Sequence, residues 1–231
     1  MRRAILSLTL LVLLAASASR ATAGGLDLRI GGYFPRGNDT LFLDDRSLYF
    51  VEKSDFYGLY GGIEYNQVVT NNVELGISFD GYSQTVDTSY RDYTRPGGGE
   101  IFQSLKLNML PLGVSVRFVP TSKKAKIAPY VGGGVDAIFY KYEEFGDFIV
   151  FDDPDLPIVA DAFVADGTAF GVHVMGGLRV YVNRDIAIVG EGRYQWATDD
   201  MGDDFAPNEP GLVNTIDLSG WTATIGVHIR F

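Results

Sequence analysis

The sequence predicts an all-β fold, an eight-stranded antiparallel up-and-down transmembrane β-barrel. Three observations lead to this prediction. Eight segments alternate between apolar and polar side chains, which is the period of a β-strand. The connections between these segments alternate between long and short. The apolar faces together would form a continuous exposed belt in water, which soluble monomers do not tolerate.

The first 23 residues are predicted to be a cleaved signal peptide, followed by a barrel domain over residues 24–231. A positive start at Arg2-Arg3 precedes an apolar run over residues 4–16, and Ala21-Thr22-Ala23 has the small-x-small pattern of a cleavage site. The run is shorter than the roughly 20 residues that a membrane helix needs. We therefore expect export rather than anchoring.

Composition and charge exclude several classes of function. The 231 residues include 19 basic and 29 acidic ones, and removing the three arginines of the predicted signal leaves 16 basic residues and a net charge of −13. An acidic chain is a poor partner for nucleic acid, which needs a basic surface. The chain has no cysteine, which excludes a thiolate metal site and a cysteine nucleophile. Its 28 Gly, 13 Tyr and 15 Phe fit many strands.

The eight predicted strands are residues 26–34, 57–65, 73–80, 101–119, 127–141, 170–182, 186–196 and 221–231. In most of them, one phase is apolar and the other is polar or Gly. The fourth segment changes phase, because Leu105 and Leu107 are at odd positions and Leu112 and Val114 at even ones. A β-bulge near Leu110-Pro111 is predicted there, since Pro cannot donate to a ladder and a bulge shifts the register by one.

The connections place two kinds of loop at opposite ends of the barrel. The long ones are residues 35–53, 87–100, 144–166 and 199–217, and the short ones are 67–72, 120–126 and 183–185. Long extracellular loops and short periplasmic turns are typical of outer-membrane barrels. Aromatic residues near strand ends fit the girdles of such barrels: Tyr57, Tyr65, Tyr194, Trp196 and Trp221.

Three motifs carry a resemblance to a known family: residues 110–114 (LPLGV), 129–135 (PYVGGGV) and 225–231 (IGVHIRF). With them, the chain resembles the small bacterial outer-membrane β-barrel proteins of the OmpA-like, OmpW-like and opacity-type group. The resemblance implies location in the cell outer membrane of a Gram-negative-type bacterium. It also implies that the terminal alternation is an insertion signal for the barrel-assembly machinery, carried by Trp221, Ile225, Val227, Ile229 and Phe231. These motifs are specific for architecture and weak for activity.

The polar faces of all eight strands carry charge, with six acids, six bases and a histidine assigned to the lumen. The set is Asp27, Arg29, Glu64, Glu74, Asp80, Lys106, Arg117, Asp136, Arg179, Glu191, Arg193, His228 and Arg230. Because buried charges persist only when paired, the main prediction is a packed network of ion pairs. The alternatives are a narrow polar pore or gate and, more remotely, catalysis.

Catalytic and metal sites are not predicted. Both histidines, His173 and His228, are assigned to the lumen, where Ser78 or Ser115 could in principle complete a Ser-His-acid triad. No Ser-His pair faces the lipid, where a lipid hydrolase would need it. Two histidines without a cluster also argue against a transition-metal site, and no cofactor is expected.

The long loops hold 20 of the 29 acids against five bases. Oxygen-rich clusters suit Ca²⁺ or Mg²⁺, but the spacing does not match an EF-hand, and runs of like charge are usually solvated. The weak metal candidates are Asp152, Asp153, Asp155, Asp199, Asp200, Asp203 and Asp204. Looser bridging by divalent ions to lipopolysaccharide phosphates is an alternative.

The sequence thus favours a non-enzymatic outer-membrane protein with a structural or surface-interaction role. The alternative is a porin-like channel or transporter for small or hydrophobic solutes. The expected partners are outer-membrane lipid and lipopolysaccharide, the barrel-assembly machinery during insertion, and a possible unidentified extracellular ligand, but not nucleic acid. The apolar residues are expected to face outward, without a large internal core.

Overall fold

The computed structural model describes residues 24–37, 45–121, 125–151, 153–201, 205 and 215–231. Its strands are β1 (Gly24–Pro35), β2 (Gly58–Val68), β3 (Val73–Ser89), β4 (Phe102–Phe118), β5 (Ile127–Ile149), β6 (Ile158–Tyr181), β7 (Ile186–Asp200), β8 (Thr215–Asp217) and β9 (Gly220–Arg230). A 3₁₀ turn, Lys53–Phe56, precedes β2. The predicted signal peptide lies outside the described residues. Among the residues that are described, no helix is long and apolar enough to cross a membrane.

Eight of the strands close into a barrel in which every pairing is antiparallel. Each of β1 to β6 pairs with its successor along the chain, and β9 pairs with both β7 and β1. Among the described residues, the short β8 pairs with the last residues of β7. The predicted eight-stranded up-and-down barrel is therefore confirmed. We call the end that holds Gly24 and Phe231 the turn end, and the opposite end the loop end.

The register fixes the tilt of the strands. One row of paired residues runs around the whole barrel, from Tyr140 on β5 through Met109, Tyr82, Tyr60, Gly31, Thr224, Glu191 and Gly177 to Tyr130, again on β5. The row thus returns to β5 ten residues from where it began. This stagger tilts the strands, and eight strands enclose an interior that side chains can fill.

The two halves of the barrel have opposite patterns of polarity, and β4 shows both. Every odd-numbered residue from Gln103 to Arg117 is buried. In the loop-end half most of these inward residues are apolar, as at Leu105 and Leu107, whereas in the turn-end half they include polar residues such as Ser115 and Arg117. The outward face changes in the opposite sense.

This reversal shows that the predicted bulge near Leu110-Pro111 is wrong. The register of β4 against β5 is constant from Gln103 to Phe118. The apolar residues change face while the backbone continues without a slip. Pro111 points inward and has no N–H, and the pairing of β4 with β3 is interrupted there, between Met109 and Leu112.

The exterior of the turn-end half is the expected apolar belt. Large apolar side chains there are exposed on each of the eight barrel strands, among them Leu28, Ile63, Phe79, Leu112, Val135, Val172, Ile188 and Ile225. Most of their inward neighbours are polar or small, although a small apolar cluster that includes Met175 and Val189 is also buried there. This inversion of the usual soluble pattern is what a barrel surrounded by lipid requires.

The loop-end half, however, contains an internal hydrophobic core, so the expectation of no large core is wrong. Strand residues such as Tyr33, Leu107 and Tyr142 pack there with residues of the connections. The connections contribute Tyr49, Val51, Phe56, Met201, Phe205 and Leu218. Residues of the loops therefore fill the interior of the barrel at the loop end.

The hairpin of β5 and β6 also differs from the prediction. The two strands pair without a break to Ile149 and Ile158, so residues 150–157 form the connection and the predicted loop over 144–166 is mostly strand. The acidic sequence of this segment resembles that of a loop, because here the two strands extend beyond the apolar belt. Asp161 is exposed there, whereas the inward side chains of Ala165 and Ala169 are small and buried.

Candidate functional site: a charge network in the barrel interior

Arg117 of β4 is the centre of the charged interior and is fully buried. Its Nη2 lies 2.6 Å from Glu64 Oε2 and 2.9 Å from Glu191 Oε2. Its Nη1 donates to Asp27 Oδ2 at 3.0 Å and to Asn66 Oδ1 at 2.9 Å. One guanidinium thus joins side chains from β1, β2 and β7, because its planar fork of donors can contact several acceptors at once.

Two further arginines extend this network towards the loop end. Arg29 Nη1 lies 2.6 Å from Glu191 Oε1 and 2.8 Å from Glu64 Oε2, and its Nη2 lies 3.0 Å from Asp80 Oδ1. Arg193 contacts the same three carboxylates at 3.3–3.7 Å. Each carboxylate here has more than one cationic partner, which is what compensates the loss of hydration on burial.

At the turn end the network includes Arg179, which lies 2.7 Å from Glu74 and 3.4 Å from Asp27. Asp27 also accepts a short hydrogen bond from His228 Nδ1. Arg230 is partly buried, with its guanidinium 4.3 Å from the ring centroid of Tyr181. A cavity of about 60 Å³ borders Arg179, His228 and Arg230. This volume can hold a few water molecules.

Uncharged residues that the sequence analysis did not include complete the network. Tyr130 donates from its hydroxyl to Glu191 at 2.8 Å, and its ring lies 4.8 Å from the Arg117 guanidinium and 5.1 Å from that of Arg179. Asn66 donates to Asp27 at 2.9 Å. Their inward phase on β5 and β2 is a signal that could have identified them.

Lys106 is not in the lumen, and its predicted position there is wrong. It follows the outward phase of β4, its side chain is 37% exposed, and its Nζ lies 3.5 Å from Glu143 Oε2. The prediction fails because the polarity of the faces reverses at this level. A charged residue that would be inward in the turn-end half is outward here.

A serine, a histidine and an aspartate do meet in the interior, apart from the arginine network. His173 Nδ1 lies 2.6 Å from Asp136 Oδ2, and a Cβ on Gly113 would lie 2.6 Å from both Ser78 Oγ and Asp136 Oδ1. All three side chains are buried within the barrel wall. The arrangement is a compact, buried polar cluster over a glycine.

The loop acids are less organised. Asp152, Asp203 and Asp204 lie outside the described residues. Asp153 accepts from the backbone N–H of Asp155 at 3.0 Å, a contact that shapes their turn. Asp199 and Asp200 end β7, where they pair with β8. Within the described ranges, no three His, Asp or Glu side chains are placed to hold one metal ion.

The residues of the proposed insertion signal all point outward from β9 and its end. Trp221, Ile225, Val227, Ile229 and Phe231 are exposed. At the turn end, Phe231 stacks on Tyr65 with ring centroids 6.3 Å apart. At the other edge of the belt, Tyr194 packs edge-on against Trp196 and Trp221, at 4.6 and 4.9 Å. Aromatic rings thus flank the apolar belt on both sides, as at a membrane interface.

Comparison with solved structures finds several similar outer-membrane proteins. The outer membrane protein OprG from Pseudomonas aeruginosa is similar over 92% of this chain and 97% of its own, with 11% identity and a TM-score of 0.56. Neisserial surface protein A matches over 90% and 97%, with 14% identity and a TM-score of 0.48. A major outer membrane protein from Thermus thermophilus matches over 92% and 100%, with 13% identity and a TM-score of 0.49. No curated protein sequence gives a significant match.

The sequence itself matches a family profile across almost its whole length. The profile is that of the outer membrane protein beta-barrel domain, and it covers residues 6–231. This agrees with the closed antiparallel barrel, its apolar exterior and its charged interior. The chain therefore belongs to the outer-membrane β-barrel protein family.

Proposed function

We propose that this protein is an integral, non-enzymatic component of the outer membrane with a structural or surface-interaction role. In this proposal the turn end faces the periplasm and the loop end faces the outside. The apolar belt lies in lipid, and the hairpins of the loop end project beyond it. Export by the predicted signal peptide and insertion by the barrel-assembly machinery are part of the proposal.

The observation that carries this proposal is a lumen filled by two successive layers. In the turn-end half, Arg29, Arg117, Arg179 and Arg193 are buried among carboxylates. In the loop-end half, aromatic and aliphatic side chains from strands and loops pack into one core. Ions or solutes moving along the axis would have to break both layers, so the barrel is best suited to a structural role.

The outer surface suggests the class of partner. The loop end carries most of the acids, including the exposed Asp153, Asp155 and Asp161. Such a surface favours cationic ligands or divalent ions that bridge to lipopolysaccharide phosphates.

Single-channel recording in planar bilayers tests the sealed lumen. The purified barrel is expected to give no reproducible conductance steps, while a porin reconstituted in parallel shows that the bilayer reports open channels. Reproducible steps from the wild-type barrel would contradict the proposal.

The second candidate is a narrow channel. It is favoured by the charged lining of the turn-end half and by the cavity beside Arg179. In this case, wild-type conductance should appear and should change when the charge at Arg179 is removed. Steps that persist unchanged in Arg179→Gln would count against a pore through this cavity.

A further inference from the structure

Two adjacent strands each place a glycine on the lipid-facing surface at the same level. Gly61 of β2 pairs with Gly81 of β3, and both follow the outward phase of their strands. Their outward neighbours Leu59, Ile63 and Phe79 are large and exposed. The apolar belt is therefore interrupted by a notch two strands wide.

The notch continues into a groove of about 630 Å³ that extends to β4 and β5. Ile30, Leu59, Leu110 and Phe139 line its apolar part. The inward-facing Arg29, Tyr82, Met109 and Tyr140 also border it. Tyr82 and Met109 lie next to Pro111, where the ladder between β3 and β4 is interrupted.

The groove lies where the apolar belt meets the polar exterior of the loop end. The outward residues Ser83, Asn108 and Lys141 form the polar part of its lining. In the proposed orientation this is the depth at which acyl chains join their headgroup in the outer leaflet. The shape and polarity of the groove thus match one acyl chain below and a polar headgroup above.

The rim beside the groove is cationic, in a chain whose formal net charge is −10. Lys141 Nζ lies 2.6 Å from Glu143 Oε1, and Lys106 Nζ lies 3.5 Å from Glu143 Oε2. Two lysines therefore share one carboxylate, which leaves a net positive charge. Both lysine side chains are partly exposed to solvent, so an anionic group such as a phosphate can approach them.

We propose that this groove binds one acyl chain of lipopolysaccharide, with a phosphate of its lipid A part beside Lys141 and Lys106. Lipid A fits because it combines acyl chains with phosphorylated sugars in the leaflet that this end of the barrel faces. The inference rests on the proposed orientation in the outer membrane. It does not depend on whether the lumen conducts.

Filling the notch gives a direct test. A Cβ on Gly81 would meet no atom within 4 Å, so the backbone there can carry a side chain, and Gly81→Leu directs one into the groove. Gly190→Leu is the matched control, because Gly190 also has an outward position with no atom within 4 Å, between Leu178 and Ile225. It lies on β7, away from the groove. Circular dichroism and resistance to unfolding check that both variants fold.

The experiment is native mass spectrometry of the barrel released from detergent after titration with purified lipid A. Wild type and Gly190→Leu are expected to retain one lipid A each, Gly81→Leu to bind at least about tenfold more weakly, and Lys141→Gln to show a smaller loss. Equal retention by Gly81→Leu and wild type would overturn the site. Equal retention of phosphatidylglycerol and lipid A by the wild type would overturn lipid A as the occupant. Neither result bears on conductance, so failure here is distinct from failure of the sealed lumen.

Discussion

The two halves of the barrel bury opposite kinds of side chain. In the turn-end half, charges are inside and apolar side chains are outside, with Arg117 fully buried and Leu112 42% exposed on the same strand. In the loop-end half, Leu105 and Leu107 are buried and Lys106 between them is outward. The same backbone geometry continues through both halves. What changes is the face of the wall that carries the apolar side chains.

The difference teaches that the exterior determines which residues the interior holds. Where lipid covers the outside, apolar side chains gain nothing by turning inward, and the interior can hold polar groups that pair with one another. Where water covers the outside, the interior must supply the burial of apolar surface that stabilises a soluble domain. The loops then contribute to that core.

Breaking the charge network is expected to have the largest effect. Arg117→Leu removes the partner shared by Glu64, Glu191 and Asp27, and leaves buried carboxylates with less compensation. Loss of one partner of a buried ion pair costs about 3–5 kcal/mol. Urea unfolding in lipid vesicles, followed by tryptophan fluorescence, measures the change.

The matched control is Arg95→Leu, which breaks the partly exposed pair with Asp147 at the loop end. Exposed pairs contribute about 0–1 kcal/mol. If the two variants lose similar stability, the interior network is not the main electrostatic contribution to the stability of the turn-end half.

The loop-end core is expected to show the next largest effect, in a comparison within one strand. Leu107 is 1% exposed and points into the core, so Leu107→Ala should cost about 2–4 kcal/mol through lost burial and the cavity that remains. Leu112→Ala, five residues along β4, removes the same atoms from the outer belt. There lipid replaces the lost contacts, and we expect a cost of under about 1 kcal/mol.

The same unfolding assay in vesicles decides this comparison. A cost for Leu112→Ala as large as that for Leu107→Ala would mean that the outer face of β4 is packed against protein. It would contradict the assignment of that face to lipid.

A pH dependence is expected from the loop-end half. Burial raises the pKa of Glu144 from 4.5 to about 7, although hydrogen bonds with Tyr142 and Asp45 oppose the rise. Between these two values the folded state binds more protons than the unfolded state, so stability falls as pH rises from about 4.5 to 7. Glu144→Gln should remove this slope and gain up to about 3 kcal/mol over wild type at about pH 8, with little difference at about pH 4.

Glu143→Gln is the control, because Glu143 points outward on the same strand and the hydrogen bond from Lys141 lowers its pKa. It should leave the slope between about pH 4.5 and 7 in place. A slope that survives in Glu144→Gln would assign it to another group.

The sequence predicts the strands and their closure well because lipid imposes a strict alternation that is visible along the chain. It predicts the inward positions of Arg29, Arg117 and Arg193 for the same reason. Prediction from the sequence fails where the strands leave the belt. There the alternation reverses at Leu105–Met109, and the acidic sequence of residues 144–166 resembles that of a loop. The notch at Gly61 and Gly81 could not be predicted from one strand at a time, because it depends on the register between two strands.

The substitution with the smallest expected effect tests, at a single residue, the reversal of inward and outward polarity in the loop-end half. Replacing Lys106 removes one of the two lysine partners of Glu143. Both side chains of this pair are partly exposed, and Glu143 keeps its contact with Lys141. Lys106→Ala should therefore change stability by under about 1 kcal/mol. If Lys106 were inside the barrel, as the alternation alone suggests, the same substitution would cost several kcal/mol by leaving a buried carboxylate unpaired. Unfolding in vesicles at low and high salt separates the two cases, because only an exposed pair weakens with added salt.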